Sequence, residues 1–245
     1  MIIIKIENLA FSYAEKDVLK GISFNIEKGD FLSISGLNGS GKSTLAYCFN
    51  GIIPHSIRGH MTGKVNVFGT DTKKVSVAEM SKKVGMVFQD PEWQIFNLSV
   101  RDEVEFGLKN MKMDRVEERI EKALKTVGLE ERGNDIPHKL SQGQKQKLAI
   151  ASVIAMEPEV IILDEPSSQL DYRSTVNLYN ILKKLNGEGK TIIIIEHDTE
   201  MIARYANKSV ILADGRIELS GKIKDVFSDR ERIADLGIKY PEGIL

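Results

Sequence analysis

The stretch that decides the fold is Gly36–Thr44, which reads Gly-Leu-Asn-Gly-Ser-Gly-Lys-Ser-Thr. An apolar run, Phe31–Ile34, comes before it, and a segment that favours a helix, Lys42–Phe49, begins inside it. Strand, glycine-rich loop and helix start form the context that the phosphate-binding pattern G-x-x-x-x-G-K-[ST] requires. The stretch therefore predicts a loop that wraps around the phosphates of a nucleoside triphosphate.

The residue types in this loop fit that chemistry. Its fixed positions are filled by Gly36, Gly41, Lys42 and Ser43. Glycines let backbone N–H groups approach phosphate oxygens, and the start of a helix adds partial positive charge. The lysine of the pattern reaches the β- and γ-phosphates, and the serine hydroxyl binds Mg²⁺. We expect the other loop residues to contact the nucleotide too, namely Leu37, Asn38, Gly39, Ser40 and Thr44. A plain Gly/Ser-rich turn is the alternative, and the complete set of fixed positions argues against it.

The composition is that of a globular protein with a sizeable core. The chain has 245 residues, of which 42% are hydrophobic and 28% charged. Its net charge of −1 gives no electrostatic footprint for nucleic acid, so we expect no nucleic-acid partner. No apolar run reaches the roughly 20 residues of a membrane span. The single cysteine, Cys48, excludes an internal disulfide and favours a reducing compartment, with Cys48 as a small buried hydrophobe.

Strand patterns surround the phosphate loop. Alternating and apolar runs predict strands at 2–6, 9–13, 22–26, 64–68 and 84–88. An antiparallel sheet ahead of the loop is informative, because purely parallel folds of this kind begin with the strand that leads into the loop. Tyr13 has two interpretations, a ring that stacks on a nucleotide base or an ordinary core or edge-strand tyrosine.

After residue 89 the sequence pattern changes from strands to helices. Helices are expected at 100–108 and 115–127, and the latter has one apolar and one charged face, with Gly128 as its stop. This segment is too short for a long coiled-coil arm of the kind that tethers DNA. Downstream, the patterns predict a helix at 145–156, a strand at 160–163, a helix at 175–185, a strand at 191–195 and a hairpin at 210–219.

Together these patterns predict an α/β fold in one domain, 1–245. Its core lobe, 1–89 and 141–225, would hold a mixed sheet and an N-terminal antiparallel β subdomain. An α-helical subdomain, 90–140, would be inserted into this lobe. The final residues, 226–245, are expected to form a helix and a loosely held tail.

Two carboxylates, Asp164 and Glu165, end the predicted strand at 160–163. An acidic residue at the end of a buried strand beside a phosphate loop is suited to hold Mg²⁺, directly or through water. The adjacent carboxylate can orient or deprotonate an attacking water. The alternative is a strand that ends in ordinary acidic turn residues, and the phosphate loop upstream favours the first interpretation.

With these residues in view, the sequence closely resembles the nucleotide-binding subunit of ABC transporters over nearly the whole chain. Six motifs occur in the family's order. They are the Walker A P-loop Gly36–Thr44, the Q-loop residue Gln89, the signature Leu140-Ser141-Gln142-Gly143-Gln144, the Walker B end Asp164-Glu165-Pro166, the D-loop Ser168-Gln169-Leu170-Asp171 and the switch histidine His197. Each motif is weak alone, but six in register are specific. The resemblance implies a P-loop NTPase of ABC type that uses ATP and Mg²⁺, and Tyr13 fits its adenine-stacking position.

The resemblance implies catalytic roles that spacing alone does not. Glu165 would be the catalytic base, and His197 would hold the γ-phosphate in the hydrolytic state. Gln89 would sense Mg²⁺ and the attacking water, and would couple the site to a membrane partner. The residues implied to bind Mg²⁺ are Ser43, Gln89 and Asp164.

The resemblance also implies a second subunit. Such ATPases dimerise head to tail, and each ATP lies between the P-loop of one subunit and the signature of the other. The signature residues implied to act on the partner's ATP are Ser141, Gln142, Gly143 and Gln144. Asp171 would line the dimer interface. Whether the second subunit is an identical chain or a related ATPase is left open.

The signature departs from the family pattern at Gln142, which stands where the first glycine is usual. A backbone N–H donor remains there, but a side chain now points into or beside the interface. If the backbone at Gln142 needed a positive φ, this residue would be strained by roughly 1–2 kcal/mol.

The stretch Val87–Phe96 narrows the resemblance to energy-coupling-factor (ECF) importers, the group that moves vitamins and cobalt or nickel ions. It is similar to their Phe-Gln-x-Pro-x-x-Gln-hydrophobic pattern, and Val100–Gly107 is similar to that group too. This implies a peripheral ATPase on the cytoplasmic side of the cell membrane that powers micronutrient uptake through integral membrane subunits. Trp93, Ile95 and Phe96 would form part of a groove for a coupling helix, and the alternative for Trp93 is a core position.

Three alternatives remain. A soluble ABC ATPase that acts on DNA or ribosomes predicts a basic face, a long insert or a tandem ATPase domain, and this sequence has none of them. A weakly hydrolysing half of a heterodimeric pair is favoured only by Gln142, whereas Glu165 and His197 oppose it. A GTPase would need an aspartate where Val210 follows Asn207-Lys208-Ser209.

Overall fold

A computed structural model describes residues 1–242 of the chain and shows two sheets. The strands of the first sheet are β1 (Ile2–Tyr13), β2 (Lys16–Glu27), β4 (His60–Val67) and β5 (Thr70–Asp71). Those of the second are β3 (Phe31–Ser35), β6 (Val84–Val87), β7 (Val160–Asp164), β8 (Thr191–Ile195), β9 (Lys208–Ala213) and β10 (Arg216–Lys222). The first sheet is antiparallel in the order β2-β1-β4-β5, and the second has the order β10-β9-β3-β8-β7-β6. In the second sheet only the β9–β10 pair is antiparallel, so the expected mixed sheet is confirmed.

Helices lie between these strands. They are α1 (Lys42–Phe49), α2 (Ile52–His55), α3 (Val77–Met80), α4 (Val100–Asn110), α5 (Val116–Val127), α6 (Gln142–Ile154), α7 (Tyr172–Gly187), α8 (Thr199–Tyr205), α9 (Ile223–Val226) and α10 (Arg230–Asp235). The segment between β6 and β7 contains α4 and α5, which pack on α6 through an apolar cluster that includes Val104, Leu124 and Leu148. No helix within residues 1–242 has the length and apolar character needed to cross a membrane.

The second sheet is buried on both faces, which explains the apolar runs of β7 and β8. Along β7, Ile161 and Leu163 belong to the cluster shared with the helices, whereas Ile162 belongs to the cluster shared with the antiparallel sheet. Cys48 is fully buried in this latter cluster, and burial raises the pKa of its thiol to about 12, as expected for a structural cysteine. The carboxyl ends of the parallel strands are thereby fixed in one row at the edge where the site lies.

Two strand predictions differ from the structure. The expected strands at 2–6 and 9–13 are one strand, β1, because Asn8 adopts φ 49 at an irregularity and pairing resumes at Leu9. The strand expected at 64–68 begins earlier, at His60, and contains Gly63 opposite Asn8. A Cβ on Gly63 would lie 2.2 Å from the Asn8 carbonyl oxygen, so the bulge requires glycine there.

Two helix boundaries also differ. The helix expected from Lys145 begins at Gln142, because Ser141 caps it and makes reciprocal hydrogen bonds with Gln144. The helix expected at 175–185 begins at Tyr172, where the Asp171 carboxylate accepts the Ser174 N–H. Both signature and D-loop therefore lie at helix starts.

The end of the described chain is packed rather than loose. Ile238 and Tyr240 lie against an apolar cluster that includes Phe227 and Ile233, and the Arg230 guanidinium lies 5.2 Å from the Tyr240 ring centre. The expectation of a loosely held tail is therefore wrong as far as Glu242. Its last part, 243–245, lies outside the described residues.

Candidate active site

The loop between β3 and α1 has the backbone that its glycines permit. Gly36 adopts φ 144, and a Cβ there would lie 2.1 Å from the Leu212 carbonyl oxygen. Gly41 adopts φ 104 immediately before α1, whose first N–H groups have no preceding helical carbonyl to bind. The loop and the helix start thus form an anion site of the kind that binds phosphate.

Lys42 lies inside this loop. Its ammonium donates hydrogen bonds to the carbonyl oxygens of Gly36, at 3.0 Å, and Leu37, at 3.1 Å. Burial lowers the pKa of Lys42, and the charges of Glu165 and Asp164 oppose that shift. The buried hydroxyl of Ser40 has no hydrogen-bond partner within residues 1–242. A cation held only by neutral carbonyls is suited to bind an anion.

An open cleft of ≈ 460 Å³ lies beside the loop and is lined by Tyr13, Lys16, Asp17, Val18, Asn38, Gly39, Gly41, Lys42, Ser43, Thr44, Gln89 and Glu165. The structure thus brings most of the predicted nucleotide contacts together. Three expected residues do not line the cleft: Gly36, Leu37 and Ser40. Leu37 is 56% exposed, and its side chain lies against Gly237.

Tyr13 stands at one wall of the cleft. Its hydroxyl lies 3.2 Å from the Thr44 hydroxyl, and its ring meets the Phe11 ring edge-on, with the centres 4.8 Å apart. This contact places the tyrosine at the first turn of α1. Adenine stacking by Tyr13 stays a prediction.

The end of β7 brings Asp164 to the phosphate loop. Asp164 is only 5% exposed, and burial raises the pKa of its carboxyl. A hydrogen bond with the Ser43 side chain and the charge of Lys42 offset part of that shift, whereas Glu165 adds to it. The buried carboxylate is therefore short of positive charge in the absence of a ligand.

Glu165 is held between two polar side chains. The Gln89 amide donates to its Oε2 at 2.8 Å, and His197 Nε2 lies 2.9 Å from its Oε1. Glu165 itself adopts φ 45, a left-handed conformation whose strain is of order 1–3 kcal/mol. Its N–H donates to the Ile195 carbonyl at 3.0 Å, which helps to hold that conformation. The three residues predicted to be catalytic thus meet at one carboxylate.

The signature lies outside this cleft. Ser141 and Gln144 cap α6, and Gln142 occupies its first turn with helical rather than positive φ, so the possible strain at Gln142 is excluded. The Gln142 side-chain amide donates to the Gln169 side chain of the D-loop. A Cβ on Gly143 would lie 3.2 Å from the Ser174 hydroxyl at the start of α7. None of the residues 141–144 lines the cleft beside the phosphate loop.

The family model described as ABC transporter matches residues 19–168. The chain belongs to the ABC transporter family. It is an ATPase of this family and binds ATP.

Relatives in the ABC transporter family cover nearly the whole chain. The energy-coupling factor transporter ATP-binding protein EcfA of Methanocaldococcus jannaschii is 43% identical over 98% of this chain and 86% of that protein. The solved structure of CbiO1 from Clostridium perfringens, part of the ABC transporter complex CbiONQ, is 37% identical with a TM-score of 0.84 and covers 96% of this chain and 94% of CbiO1. The ABC transporter cassette MJ0796, solved as a dimer, is 31% identical with a TM-score of 0.78 and covers 90% of this chain and 98% of that one. Another structure of MJ0796 is a post-hydrolysis state bound to ADP and Pi.

The ABC cassette also exposes an apolar patch in the segment that follows Gln89 in the sequence. Trp93 is 86% exposed, so its alternative as a core residue is wrong. The rings of Phe96 and Phe106 meet edge-on, with their centres 4.7 Å apart. Leu98, two positions after Phe96, is 86% exposed. Ile95 is 4% exposed, so its expected place in a surface groove is wrong, because its side chain packs into the helical cluster.

Sequence reasoning missed some residues of the cassette's site. Lys16, Asp17 and Val18 line the cleft from the start of β2, and no motif marks them. Gln169 binds Gln142 across a large sequence separation, which spacing does not reveal. Glu196 was passed over as the residue before His197, although it is buried and hydrogen-bonded.

Proposed function

We propose that this chain is the ATP-hydrolysing subunit of an ECF-type importer that takes up a micronutrient, either a vitamin or a transition-metal ion. The observation that carries the hydrolytic part is Glu165, held between Gln89 and His197 at the cleft of the P-loop. The relatives EcfA and CbiO1 support the ECF part. The remaining features fit both parts and are argued below.

The carboxylate of Glu165 is the general base in this proposal. Its Oε1 and Oε2 already accept hydrogen bonds, and an attacking water would be oriented by the carboxylate and by the Gln89 amide. His197 would hold the γ-phosphate with the ring nitrogen that now faces Glu165. Lys42 would exchange its two carbonyl partners for the β- and γ-phosphate oxygens.

The residues at the loop fit Mg²⁺. Ser43 supplies a hydroxyl, Asp164 a buried carboxylate short of positive charge and Gln89 an amide oxygen, and Mg²⁺ prefers oxygen ligands. Phosphates and water would complete its coordination. When bound, Mg²⁺ neutralises charge on the phosphate oxygens.

The site is proposed to be shared by two ABC ATPase subunits. Within one chain the cleft lacks any signature residue, while Ser141 and Gly143 lie at a partly exposed helix start that suits an anion. A head-to-tail dimer would bring this helix start to the partner's ATP, with Asp171 near the interface. Cassettes of this family form dimers, as the MJ0796 structure does.

The membrane partner is proposed to dock on the apolar patch formed by Trp93, Phe96, Leu98 and Phe106. Exposed aromatic clusters of this kind mark interaction sites. The patch begins a few residues after Gln89 in the sequence, so a helix bound there could act on the hydrolytic residues. The chain would then lie peripherally on the cytoplasmic side of the cell membrane, bound to integral membrane subunits.

Hydrolysis by the purified chain tests the enzymatic part. Glu165→Gln is expected to lower kcat at least about 10²-fold, because it removes the base. Lys42→Ala is expected to weaken ATP binding itself. Glu118→Gln, a change at an exposed position of α5, is the matched control and should retain parental activity. Parental activity in Glu165→Gln would refute the assignment of the base.

Isolation of the tagged chain from detergent-solubilised membranes of its own cells tests the transport part. We expect integral membrane proteins to copurify with the parent chain and to be lost from Trp93→Ala. Ile136→Ala, another exposed apolar position, is the control and should keep them. Recovery of only soluble partners from the parent chain would refute the importer proposal.

A further inference from the structure

The residue before the switch histidine, Glu196, is a buried carboxylate at the end of β8. It is only 4% exposed, and burial raises the pKa of its carboxyl against the hydrogen bonds that it receives. Within residues 1–242 no lysine or arginine forms a salt bridge with it. A buried carboxylate without a cation is costly unless hydrogen bonds satisfy its oxygens.

Hydrogen bonds from three elements do satisfy it. Its Oε2 accepts the Ser167 hydroxyl at 2.7 Å and the Tyr179 hydroxyl at 3.4 Å. Its Oε1 accepts the N–H groups of His197 at 3.0 Å and Asp198 at 3.5 Å. The two oxygens of a carboxylate accept four hydrogen bonds, and no other side chain of this size accepts as many.

These partners belong to the two segments that carry the hydrolytic residues. Ser167 lies two positions after Glu165, in the loop between β7 and α7, and His197 is the switch histidine itself. The Ser35 hydroxyl, at the position before the P-loop, donates to the Glu196 carbonyl at 3.0 Å. Glu196 therefore joins the loop of Glu165, the loop of His197 and the strand that leads into the phosphate site.

The hydrogen bonds of Glu196 matter for the conformation of Glu165. Glu165 adopts φ 45, and its side chain meets His197 at 2.9 Å. A left-handed glutamate persists only where its surroundings hold it. The Ser167–Glu196 hydrogen bond holds the loop after Glu165 against Glu196, and Glu196 also fixes the His197 backbone.

We propose that Glu196 is a positioning residue, which uses its hydrogen bonds to Ser167 and to the His197 N–H to keep Glu165 and His197 in register for hydrolysis. The inference rests on the proposed function, since it needs those two residues to act on ATP. In this role Glu196 touches neither ATP nor the reacting atoms.

Ser167→Ala tests this link with a small change. Loss of the hydroxyl is expected to lower kcat about 10-fold while KM for ATP stays within about twofold, because Glu165 and His197 lose their common register while the P-loop that binds ATP is unchanged. Glu196→Gln is expected to lower kcat to a similar extent. Ser167→Thr keeps a hydroxyl at this position and should therefore retain the parental kcat. Ser209→Ala is the matched control, since it removes a buried hydroxyl hydrogen bond of 2.9 Å to Ser33 elsewhere in the same sheet.

A double variant separates positioning from general damage. In a His197→Ala background, Ser167→Ala should lower kcat no more than about twofold further, because the register between Glu165 and His197 no longer matters. An additive 10-fold loss would overturn the proposal. So would parental kcat in Ser167→Ala, or an equal loss of kcat in Ser209→Ala.

Amide hydrogen exchange of the nucleotide-free protein gives a readout that does not need hydrolysis. Ser167→Ala is expected to speed exchange at Glu165 and at His197 together, whereas Ser209→Ala should leave both unchanged. Faster exchange in only one of the two segments would overturn the link through Glu196. If the parent chain hydrolysed no ATP, the proposed function would fail while this exchange result would still decide the link.

Discussion

At the scale of single residues, the site combines buried charges that cost stability. Asp164 is buried beside Ser43 and Lys42, and burial raises the pKa of its carboxyl. A raised carboxyl pKa favours the protonated form of the folded protein. Its contribution to stability is therefore present below the ordinary carboxyl pKa and is lost as pH rises through the raised value. Above the raised pKa, the ionised Asp164 weakens the nucleotide-free fold.

Asp164→Asn is therefore expected to stabilise the nucleotide-free protein at pH 7. A gain of about 1 kcal/mol would raise Tm by about 2–4 °C, and the difference from the parent should vanish as pH falls below the ordinary carboxyl pKa. Thermal unfolding across pH measures this, with the exposed Asp235→Asn as the control. A lower Tm for Asp164→Asn at pH 7 would contradict the destabilising effect of the buried carboxylate. The same variant should lose ATP hydrolysis, whichever way its Tm changes.

Gln142 offers a second test at the residue scale. Its backbone is helical, and its side chain binds Gln169 on the same chain, so glutamine strains nothing here. Gln142→Gly keeps the backbone N–H and is expected to leave kcat within about twofold of the parent or to raise it, at a cost of under about 1 kcal/mol in stability. Steady-state ATP hydrolysis decides it, and a large loss of kcat would show that the glutamine itself has a role in the site.

At the scale of elements, α4 anchors the exposed apolar patch through a buried acid. Glu103 is 4% exposed, and its Oε2 accepts the N–H groups of Phe96, at 3.0 Å, and Asn97, at 2.9 Å, together with the Asn97 side-chain amide at 3.0 Å. Without this acceptor the three partly buried donors of the segment before α4 would lose their partner. The helix thus fixes the loop that carries the patch.

Glu103→Ala is expected to destabilise the protein by about 2 kcal/mol, because three donors lose a charged acceptor. Glu103→Gln keeps one oxygen and should cost less. The control is Glu105→Ala, which loses only a surface pair with Lys109 and should cost less than about 0.5 kcal/mol. Thermal or urea unfolding compares the three variants, and an unchanged stability of Glu103→Ala would contradict this anchoring.

Some elements of the fold can be predicted from the sequence, and other features cannot. The phosphate loop, the buried strands and the hairpin at Asp214-Gly215 were predictable because local patterns specify them. The helix expected from Lys145 begins at Gln142, although Ser141 and Gln144 form a capping box that the sequence contains. The contact between Ser167 and Glu196 joins the segments that follow β7 and β8, and only the fold brings them together.

At the scale of the whole molecule, we propose that one chain presents two separate halves of a nucleotide site. The cleft at the P-loop lies between the antiparallel sheet and the carboxyl edge of the mixed sheet and ends at Glu165. The helix start at Ser141–Gln144 lies outside that cleft, with Ser141 exposed and the next three residues partly exposed. The central claim is that a second chain joins these halves around ATP.

The dimer state of Glu165→Gln in ATP and Mg²⁺ tests that claim most directly, because blocked hydrolysis traps the ATP-bound state. Analytical ultracentrifugation is expected to show a dimer with ATP and a monomer with ADP. Adding Ser141→Arg to this variant should abolish the dimer while the P-loop still binds ATP. A Glu165→Gln chain that binds ATP fully and remains monomeric, or a Ser141→Arg variant that dimerises as well, would contradict a site shared by two copies of this chain.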